Sequence, residues 1–324
     1  MAFEPTVKEL FEGIRAGNKI FLGRAITLIE SAKKTDHDRA IELLSLCHPL
    51  SGNSLRIAIT GSPGSGKSTL IESLGNLLIA RGHKIAVLAV DPSSKESGGS
   101  ILGDKTRMET LTQASNAFIR PSPNNLELGG IKSNTRESII LCEAAGFDLV
   151  ILETVGVGQS EIEVSHMSDL VLLLLTPAGG DDLQGIKKGI METADIIAIN
   201  KADGALMKEA QNTRYSVQQS LKHGNRRDQV EIIQISALQK TNLEHLADSI
   251  LIQFELLKET GMLSKHRAEQ NDIWFDSALK QAVINKIYDD ENFKRQLEVI
   301  KSEKDKQQIP APILVQRFMD KWKF

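Results

Sequence analysis

The segment GSPGSGKST, residues 61–69, constrains the fold more than any other part of the chain. It matches G-x-x-x-x-G-K-[ST], the phosphate-binding loop of nucleoside triphosphatases, whose backbone N–H groups surround phosphate oxygens. Such a loop lies between a buried strand and a helix, and here it follows the apolar run LRIAIT and precedes LIESLGNLLIA. The sequence therefore predicts a strand–loop–helix unit that binds phosphate. The predicted contact residues are Gly61, Ser62, Pro63, Gly64, Ser65, Gly66, Lys67, Ser68 and Thr69.

Short apolar runs alternate with helical segments after this loop. Continuous apolar strands separated by helices are typical of a mostly parallel sheet that is covered on both faces. We therefore predict an α/β P-loop NTPase fold with helical extensions at both ends. The predicted regions are an N-terminal helical extension (1–52), a G domain (53–261) and a charged C-terminal helical segment (262–324). The further predicted strands are KIAVLAV (84–90), FDLVILE (147–153), DLVLLLL (169–175), DIIAIN (195–200) and EIIQIS (231–236).

Composition narrows the class of protein. The 324 residues carry a net charge of −3, so no general attraction to nucleic acid or to an anionic membrane is expected. The two cysteines, Cys47 and Cys142, indicate a reducing compartment and form no metal-binding pattern. The N-terminus is rich in glutamate, unlike a targeting peptide, and LVLLLL (170–175) is too short to span a bilayer. A cytoplasmic protein is expected.

The phosphate loop also predicts which residues contact the phosphates and the metal ion. Lys67 is expected to reach the β- and γ-phosphates, and the Ser68 hydroxyl to bind Mg²⁺. Because Mg²⁺ prefers oxygen ligands, carboxylates near the ends of neighbouring strands are candidates, although each also fits a solvated loop acid or a helix cap. The segment ETVG (153–156) stands where a D-x-x-G element would place a glycine N–H against the γ-phosphate. The candidate metal acids are Asp91, Asp104 and Glu153, and the candidate catalytic residues are Lys67, Glu153 and Gly156.

The segment NKAD, residues 200–203, fits N-K-x-D, the element that reads guanine. Asp203 can accept the N1–H and the exocyclic amino group of guanine, and adenine would leave those acceptors unpaired. Asn200 is expected to brace the loops, and the Lys201 stem to lie along the base. In the turn SAL (236–238), formed by Ser236, Ala237 and Leu238, the Ala237 N–H is expected to reach guanine O6. GTP is therefore predicted over ATP.

Hydrolysis by the isolated chain is expected to be slow. In many small GTPases a glutamine directly after the D-x-x-G glycine orients the attacking water. Val157 occupies that position here, and Gln159 comes two residues later. A partner is expected to complete the site.

Nine stretches together resemble the MeaB/ArgK family of G proteins, the methylmalonyl-CoA mutase-associated GTPases of the dimeric SIMIBI class. They fall between residues 24 and 203. Two loops depart from the family pattern, at Lys95, Glu96 and Ser97 and at Asn124, Asn125 and Leu126, and both lie near the expected nucleotide. The matching stretches are RAITLIES, GSPGSGKST, VLAVDPSS, GGSILGDKTRM, FIRPSP, TRESI, ETVGVGQSE, GGDDLQGIKKGIMETADI and NKAD.

The resemblance implies a GTP-dependent chaperone of a coenzyme B12-dependent acyl-CoA mutase, which gates adenosylcobalamin loading and helps to replace damaged cofactor. It implies GTP or GDP with Mg²⁺ as ligands, and Asp91, Asp104 and Glu153 as the acids of the magnesium site. It also implies homodimerisation through the C-terminal helical arm and an adenosyltransferase as an indirect partner. The segment GGDDLQGIKKG (179–189) resembles the family's third switch, in which Gln184, Lys187 and Lys188 would couple to the mutase.

Two other functions are open to a chain of this kind. The ArgK name implies a kinase that phosphorylates periplasmic amino-acid-binding proteins, although no residue is an evident base for a protein substrate. A nickel metallochaperone GTPase of the same superfamily would need clustered Cys and His ligands. The two cysteines and seven histidines show no such spacing.

Overall fold

The computed structural model divides the chain into two compact units, Met1–Arg267 and Ala268–Phe324. The first unit contains the sheet, and the second is helical. The residues that the structure describes are 4–31, 33–91, 108–123, 125–127, 130–132, 134–154, 164–177, 188–222, 230–307 and 309–322.

A seven-stranded parallel sheet forms the centre of the first unit, in the order β3-β2-β6-β1-β7-β8-β9. The remaining two strands, β4 and β5, form a separate antiparallel hairpin. The predicted α/β class with a parallel sheet is thereby confirmed. The strands are β1 (Leu55–Gly61), β2 (Ile85–Asp91), β3 (Ala117–Pro123), β4 (Asn125–Glu127), β5 (Gly130–Lys132), β6 (Leu149–Thr154), β7 (Leu170–Leu175), β8 (Ile196–Ile199) and β9 (Glu231–Gln234).

Twelve α-helices lie in the described part of the chain. Two short 3₁₀-helices, His48–Leu50 and Gly204–Leu206, accompany them. The α-helices are α1 (Val7–Arg15), α2 (Lys19–Glu30), α3 (Lys34–Cys47), α4 (Lys67–Ala80), α5 (Glu109–Gln113), α6 (Thr135–Ala144), α7 (Lys188–Thr193), α8 (Met207–Lys222), α9 (Leu243–Glu259), α10 (Met262–Asp289), α11 (Glu291–Gln307) and α12 (Ala311–Lys321).

Side chains alternate between the two faces of the sheet along each strand, and both faces are buried in a hydrophobic core. In β1, Ile57 and Ile59 belong to the core beneath α4 and α9, whereas Ala58 belongs to the opposite core. The same alternation places Val87 on the first face and Ala86 on the second. Helices α1, α2, α3 and α6 contribute to that second core, so the N-terminal helices share it with the sheet.

Strand β3 was not among the predicted strands. Its sequence, AFIRPSP, contains Pro121 and Pro123. Proline has no N–H to donate to a ladder, so it is rare in a strand that has a neighbour on both sides. The structure accommodates both prolines because β3 is the edge strand of the sheet and pairs only with β2 within the described sheet. Only the position of the strand in the finished sheet makes this run compatible with β structure.

The second unit has its own small aromatic core. Phe293 packs edge-on against Phe318, with ring centroids 4.9 Å apart, and against Trp322 at 5.2 Å. Ile300 and Leu314 complete the buried cluster. The prediction of helices beyond residue 262 is confirmed.

No helix in the described residues combines the length and the apolar character that crossing a membrane requires.

Candidate nucleotide-binding site

The predicted phosphate loop connects the end of β1 to the start of α4, as its sequence requires. Gly66 has a φ of 92°, in the left-handed region that favours glycine. A Cβ atom at this position would also lie 2.5 Å from Asn200 Nδ2. At Gly61, a Cβ atom would collide with the carbonyl oxygen of Leu174 in β7. Both glycines are therefore required by backbone conformation and by close packing.

Lys67 lies at the start of α4 with its side chain folded over the loop. Its Nζ donates to the carbonyl oxygens of Gly61, at 2.7 Å, and Ser62, at 3.2 Å. Helix α4 directs its partial positive charge and its first-turn N–H groups at the same place. The loop thus has a cation and a helix N-terminus at the position where phosphate binding is predicted.

Two side chains of the NKAD segment hold the outside of the loop. Asn200 Nδ2 donates to the Ser65 carbonyl oxygen at 2.8 Å, and Lys201 Nζ donates to the Gly64 carbonyl oxygen at 2.8 Å. Because the C=O and N–H of a trans peptide point in opposite directions, the Gly66 N–H is directed away from Asn200. The hydrogen bonds from Asn200 and Lys201 thus bring the two predicted motifs, the phosphate loop and NKAD, into direct contact.

Asn200 also connects the loop to the predicted base-reading turn. Its Oδ1 accepts the Ala237 N–H at 2.9 Å, and Asn200 as a whole residue is only 2% exposed. The Ser236 hydroxyl donates to Asp203 Oδ2. The N–H that we predicted to read guanine O6 is thus bonded to Asn200 in this structure, and its role towards a base stays a prediction.

Two of the candidate metal ligands, Ser68 and Glu153, lie in contact beside the phosphate loop. The Ser68 hydroxyl donates to Glu153 Oε1 at 3.0 Å, and Glu153 is 4% exposed. Glu153 is brought there by β6, which pairs with β1 so that Glu153 lies opposite Ile59. A buried carboxylate beside a hydroxyl, next to a phosphate loop, fits a hard cation such as Mg²⁺. Asp91 ends β2, which neighbours β6, but its side chain lies outside the described residues.

Several predicted residues cannot be placed against this site. Within the described residues, no three or more His, Cys, Asp and Glu side chains form a group that could hold a metal ion. Lys188 begins α7, while Asn125 and Leu126 lie in β4, and nothing is described of their side chains. The predicted residues that lie outside the described part of the chain are Lys95, Glu96, Ser97, Asp104, Asn124, Gly156, Val157, Gln159, Gln184 and Lys187.

Ser73 is a contact that sequence reasoning missed. It lies in α4, and its Oγ donates to the Ala237 carbonyl oxygen at 2.8 Å. A serine within an amphipathic helix is not distinguishable by its local pattern from any other polar residue on a helix surface. Only the packing of α4 against the base-reading turn identifies it.

A second polar cluster lies at the other end of β1, away from the loop. Glu143 Oε1 accepts from Arg56 Nε at 2.8 Å and from Ser54 Oγ at 2.5 Å, and Gly52 N–H donates to Oε2 at 2.6 Å. Burial raises the pKa of Glu143, but hydrogen bonds and charge from Arg56, together with hydrogen bonds from Ser54 and Gly52, outweigh burial and lower the pKa from its ordinary value. The carboxylate is therefore kept ionised by its partners.

Arg267 joins this cluster to the start of α10. Its Nε and Nη2 donate to the two oxygens of Asp169 at 2.8 and 2.7 Å, a bidentate ion pair. Asp169 Oδ2 also accepts the Arg56 N–H at 2.8 Å. The cluster stabilises the base of the sheet and lies at the opposite end of β1 from the phosphate loop.

Comparison with known proteins gives a consistent result. Residues 22–292 match the family described as methylmalonyl Co-A mutase-associated GTPase MeaB. The chain is similar to GTPase ArgK of Escherichia coli (strain K12), with 44% identity over 299 residues that cover 91% of this chain and 90% of that protein. It is also similar to the Mus musculus protein named methylmalonic aciduria type A homolog, mitochondrial, with 41% identity over 86% of this chain and 70% of that one.

A solved structure agrees with these relatives. The crystal structure of LAO/AO transport system kinase has 34% sequence identity, covers 99% of this chain and 98% of its own, and superposes with a TM-score of 0.74. The fold, the order of the motifs and the sequence similarity thus point to one family.

Proposed function

The chain belongs to the MeaB family of GTPases, and we propose that it is a GTP-hydrolysing chaperone of a coenzyme B12-dependent acyl-CoA mutase. We take methylmalonyl-CoA mutase as that partner, because the family description names it. In this role the protein would gate adenosylcobalamin loading, and an adenosyltransferase would be an indirect partner. The observation that carries the proposal is the direct contact of the phosphate loop with the NKAD segment in a member of this family.

We propose that residues 61–69 bind the phosphates of GTP or GDP. Lys67 would exchange its bonds with the loop carbonyls for phosphate oxygens, which are stronger acceptors because they are charged. Asp203 and the turn 236–238 would read the base. Asn200, buried between them, would keep the two halves of the site at a fixed separation.

We propose Mg²⁺ as the resident metal. Ser68 and Glu153 would hold it, and their oxygens already lie 3.0 Å apart. Asp91 and Asp104 are the further acids proposed from the sequence. When bound, the metal would neutralise negative charge on the phosphates. Gly156 would provide an N–H near the γ-phosphate, which remains a proposal from the sequence.

Coupling to the mutase is proposed for Gln184, Lys187 and Lys188, on the resemblance to the third switch. Val157 replaces the water-orienting glutamine of many GTPases, so slow hydrolysis by the isolated chain fits a partner-dependent mechanism. Coupling of this kind is reciprocal for binding: the nucleotide that favours the mutase complex must be bound more tightly within it.

We propose the region boundaries 1–52, 53–261 and 262–324, and a homodimer formed through the last region. Helix α10 supports a dimer surface, because it exposes large apolar side chains in the second unit. Phe275 is an example, at 63% exposed. Burial of such side chains in an interface would be favourable. The exposed apolar residues of this helix face are Ile273, Phe275, Leu279 and Val283.

We propose a cytoplasmic location from the two free cysteines alone.

The test is GTP turnover with and without purified methylmalonyl-CoA mutase. The mutase is expected to accelerate the wild type, and replacing Gln184, Lys187 and Lys188 with alanine should remove the acceleration while basal turnover stays nearly unchanged. The control is Lys208→Ala/Gln211→Ala on the exposed surface of α8, which should respond as the wild type does. Acceleration of the triple variant equal to that of the wild type would exclude the coupling role of residues 184–188.

The second candidate is a kinase, because a structural neighbour carries the name LAO/AO transport system kinase. Labelled GTP separates the two functions in the same experiment. Labelled phosphate released into water supports the GTPase chaperone, whereas label on an amino-acid-binding transport protein supports the kinase. If no acyl-CoA mutase binds or stimulates the wild type, the chaperone proposal fails.

A further inference from the structure

Two threonine hydroxyls join β1 to β6 at the ends that lie next to the phosphate loop. The backbone pairing between these two strands ends at Ile59 and Glu153, although β6 stays paired with β2 as far as Thr154. One residue beyond the last pair, Thr154 Oγ1 donates to Thr60 Oγ1 at 3.1 Å. A side-chain hydrogen bond therefore continues the contact of β6 with β1, directly before the phosphate loop begins at Gly61.

This hydroxyl pair lies on the face of the sheet opposite to the proposed metal ligands. In β6, Ile151 belongs to the core beneath α4 and Leu152 to the core of the N-terminal helices. Because side chains alternate along a strand, Glu153 lies on the side of α4 and Thr154 on the side of the N-terminal helices. Thr60 and Thr154 are both buried. An effect of Thr154 on the metal ligands must therefore pass through the backbone of β6.

The proposed magnesium site depends on the position of this backbone. Mg²⁺ requires near-octahedral oxygen ligands at roughly 2.0–2.1 Å, so two neighbouring ligand oxygens lie about 2.9 Å apart. Glu153 Oε1 and Ser68 Oγ are 3.0 Å apart, which fits that spacing. Ser68 is held by α4, whereas Glu153 is carried by the last turn of the β6 ladder. A shift of the end of β6 relative to β1 would therefore change the separation of the two oxygens.

We propose that Thr154 is a positioning residue for Mg²⁺, whose hydroxyl holds the end of β6 against β1 and thereby keeps Glu153 at the ligand spacing from Ser68. This rests on the proposed magnesium site. Loss of the hydroxyl would leave the chemistry of both proposed ligands unchanged and alter only their separation. Because Mg²⁺ demands near-ideal geometry, binding of the metal should weaken more than binding of the nucleotide to the phosphate loop.

The experiment separates metal binding from nucleotide binding. Equilibrium binding of a non-hydrolysable GTP analogue to the full-length protein is measured with saturating Mg²⁺ and with EDTA, and the ratio of the two affinities is the magnesium factor. The variants are Thr154→Val, which has the same shape without a hydroxyl, and Thr154→Ser, which keeps the hydroxyl. Thr260→Val is the matched control, since its hydroxyl donates to Leu256 O at the C-terminal end of α9.

Thr154→Val is expected to lower the magnesium factor about 3- to 10-fold, the effect of one hydrogen bond, and to change the affinity in EDTA less than about 2-fold. Thr154→Ser should keep most of the magnesium factor, and Thr260→Val should bind as the wild type does. An equal loss with Mg²⁺ and with EDTA would overturn the proposal, because Thr154 would then only stabilise the fold. An unchanged magnesium factor in Thr154→Val would overturn it as well.

A double-mutant cycle tests whether the effect passes through Glu153. In the Glu153→Ala background the proposed carboxylate ligand is absent, so adding Thr154→Val should lower the magnesium factor by less than about a further 2-fold. A further loss as large as the one in the wild-type background would show that Thr154 acts by another route, and the proposal would fail.

A second variant removes the acceptor from the other strand. Thr60→Val should reproduce the selective loss of the magnesium factor. A Thr60→Val protein with the full magnesium factor rules out the hydroxyl pair as the positioning contact, even if Thr154→Val does not fold. Failure of the proposed magnesium site has a different signature: the wild type itself would then bind the GTP analogue equally well with Mg²⁺ and with EDTA.

Discussion

Replacing Asn200 with alanine is expected to damage both halves of the site at once. The side chain is buried and makes two hydrogen bonds, from Nδ2 to the Ser65 carbonyl oxygen and to Oδ1 from the Ala237 N–H, at 2.8 and 2.9 Å. Both backbone partners are themselves buried. Alanine would leave one acceptor and one donor unsatisfied, at about 1–3 kcal/mol each.

The sum predicts a loss of about 2–4 kcal/mol in the free energy of unfolding, if water entering the gap offsets part of the cost. For a unit of this size the loss corresponds to a fall in Tm of roughly 5–15 °C. GTP affinity should also fall at least about 10-fold, because the phosphate loop and the base-reading turn would no longer be held together.

The measurements are thermal unfolding and equilibrium binding of GTP. Asn76→Ala is the matched control: its Nδ2 donates to Glu72 O and to Thr110 Oγ1, on a more exposed face of α4, so it should cost less than about 1 kcal/mol. Asn200→Asp keeps the acceptor for Ala237 but sets a carboxylate oxygen against the Ser65 carbonyl, and should also be destabilised. An Asn200→Ala protein with wild-type Tm and wild-type GTP affinity would refute the reasoning.

Two further outcomes follow from the described contacts. Glu143→Gln should destabilise the fold by about 3–5 kcal/mol at neutral pH, because it leaves the Arg56 charge buried without its partner. The folded-state pKa of Glu143 is lowered, so the stability that this carboxylate contributes is fully present above its unfolded-state pKa and is lost as the pH falls through its folded-state pKa. Denaturant unfolding at several pH values should therefore show a shallower acid loss in the variant than in the wild type. Lys67→Ala should abolish GTP hydrolysis with the Tm nearly unchanged, and normal turnover by that variant would contradict the assignment of the loop.

The local sequence pattern alone predicted the phosphate loop and six of the seven strands of the parallel sheet. GSPGSGKST between an apolar run and a helix required the turn from β1 into α4, and six predicted strands are present as β1, β2, β6, β7, β8 and β9. A parallel sheet brings the carboxyl ends of its strands to one edge, so the order of the motifs along the chain already predicted that they meet. The contact of Asn200 with Ser65 is consistent with that expectation.

The tertiary structure decided what depends on residues distant in sequence. Whether AFIRPSP forms a strand depends on its place at the sheet edge, where proline is tolerated because one side of the strand needs no ladder partner. Ser73 acquires a role only because α4 passes the Ala237 carbonyl, and Ala237 directs its own N–H to Asn200 instead of leaving it open. A hydrogen bond joins two atoms in space, and the sequence near either residue carries no information about the other. The local sequence therefore determines the six predicted strands and the loop between β1 and α4, while the packed fold determines whether AFIRPSP forms a strand and which buried polar groups are satisfied.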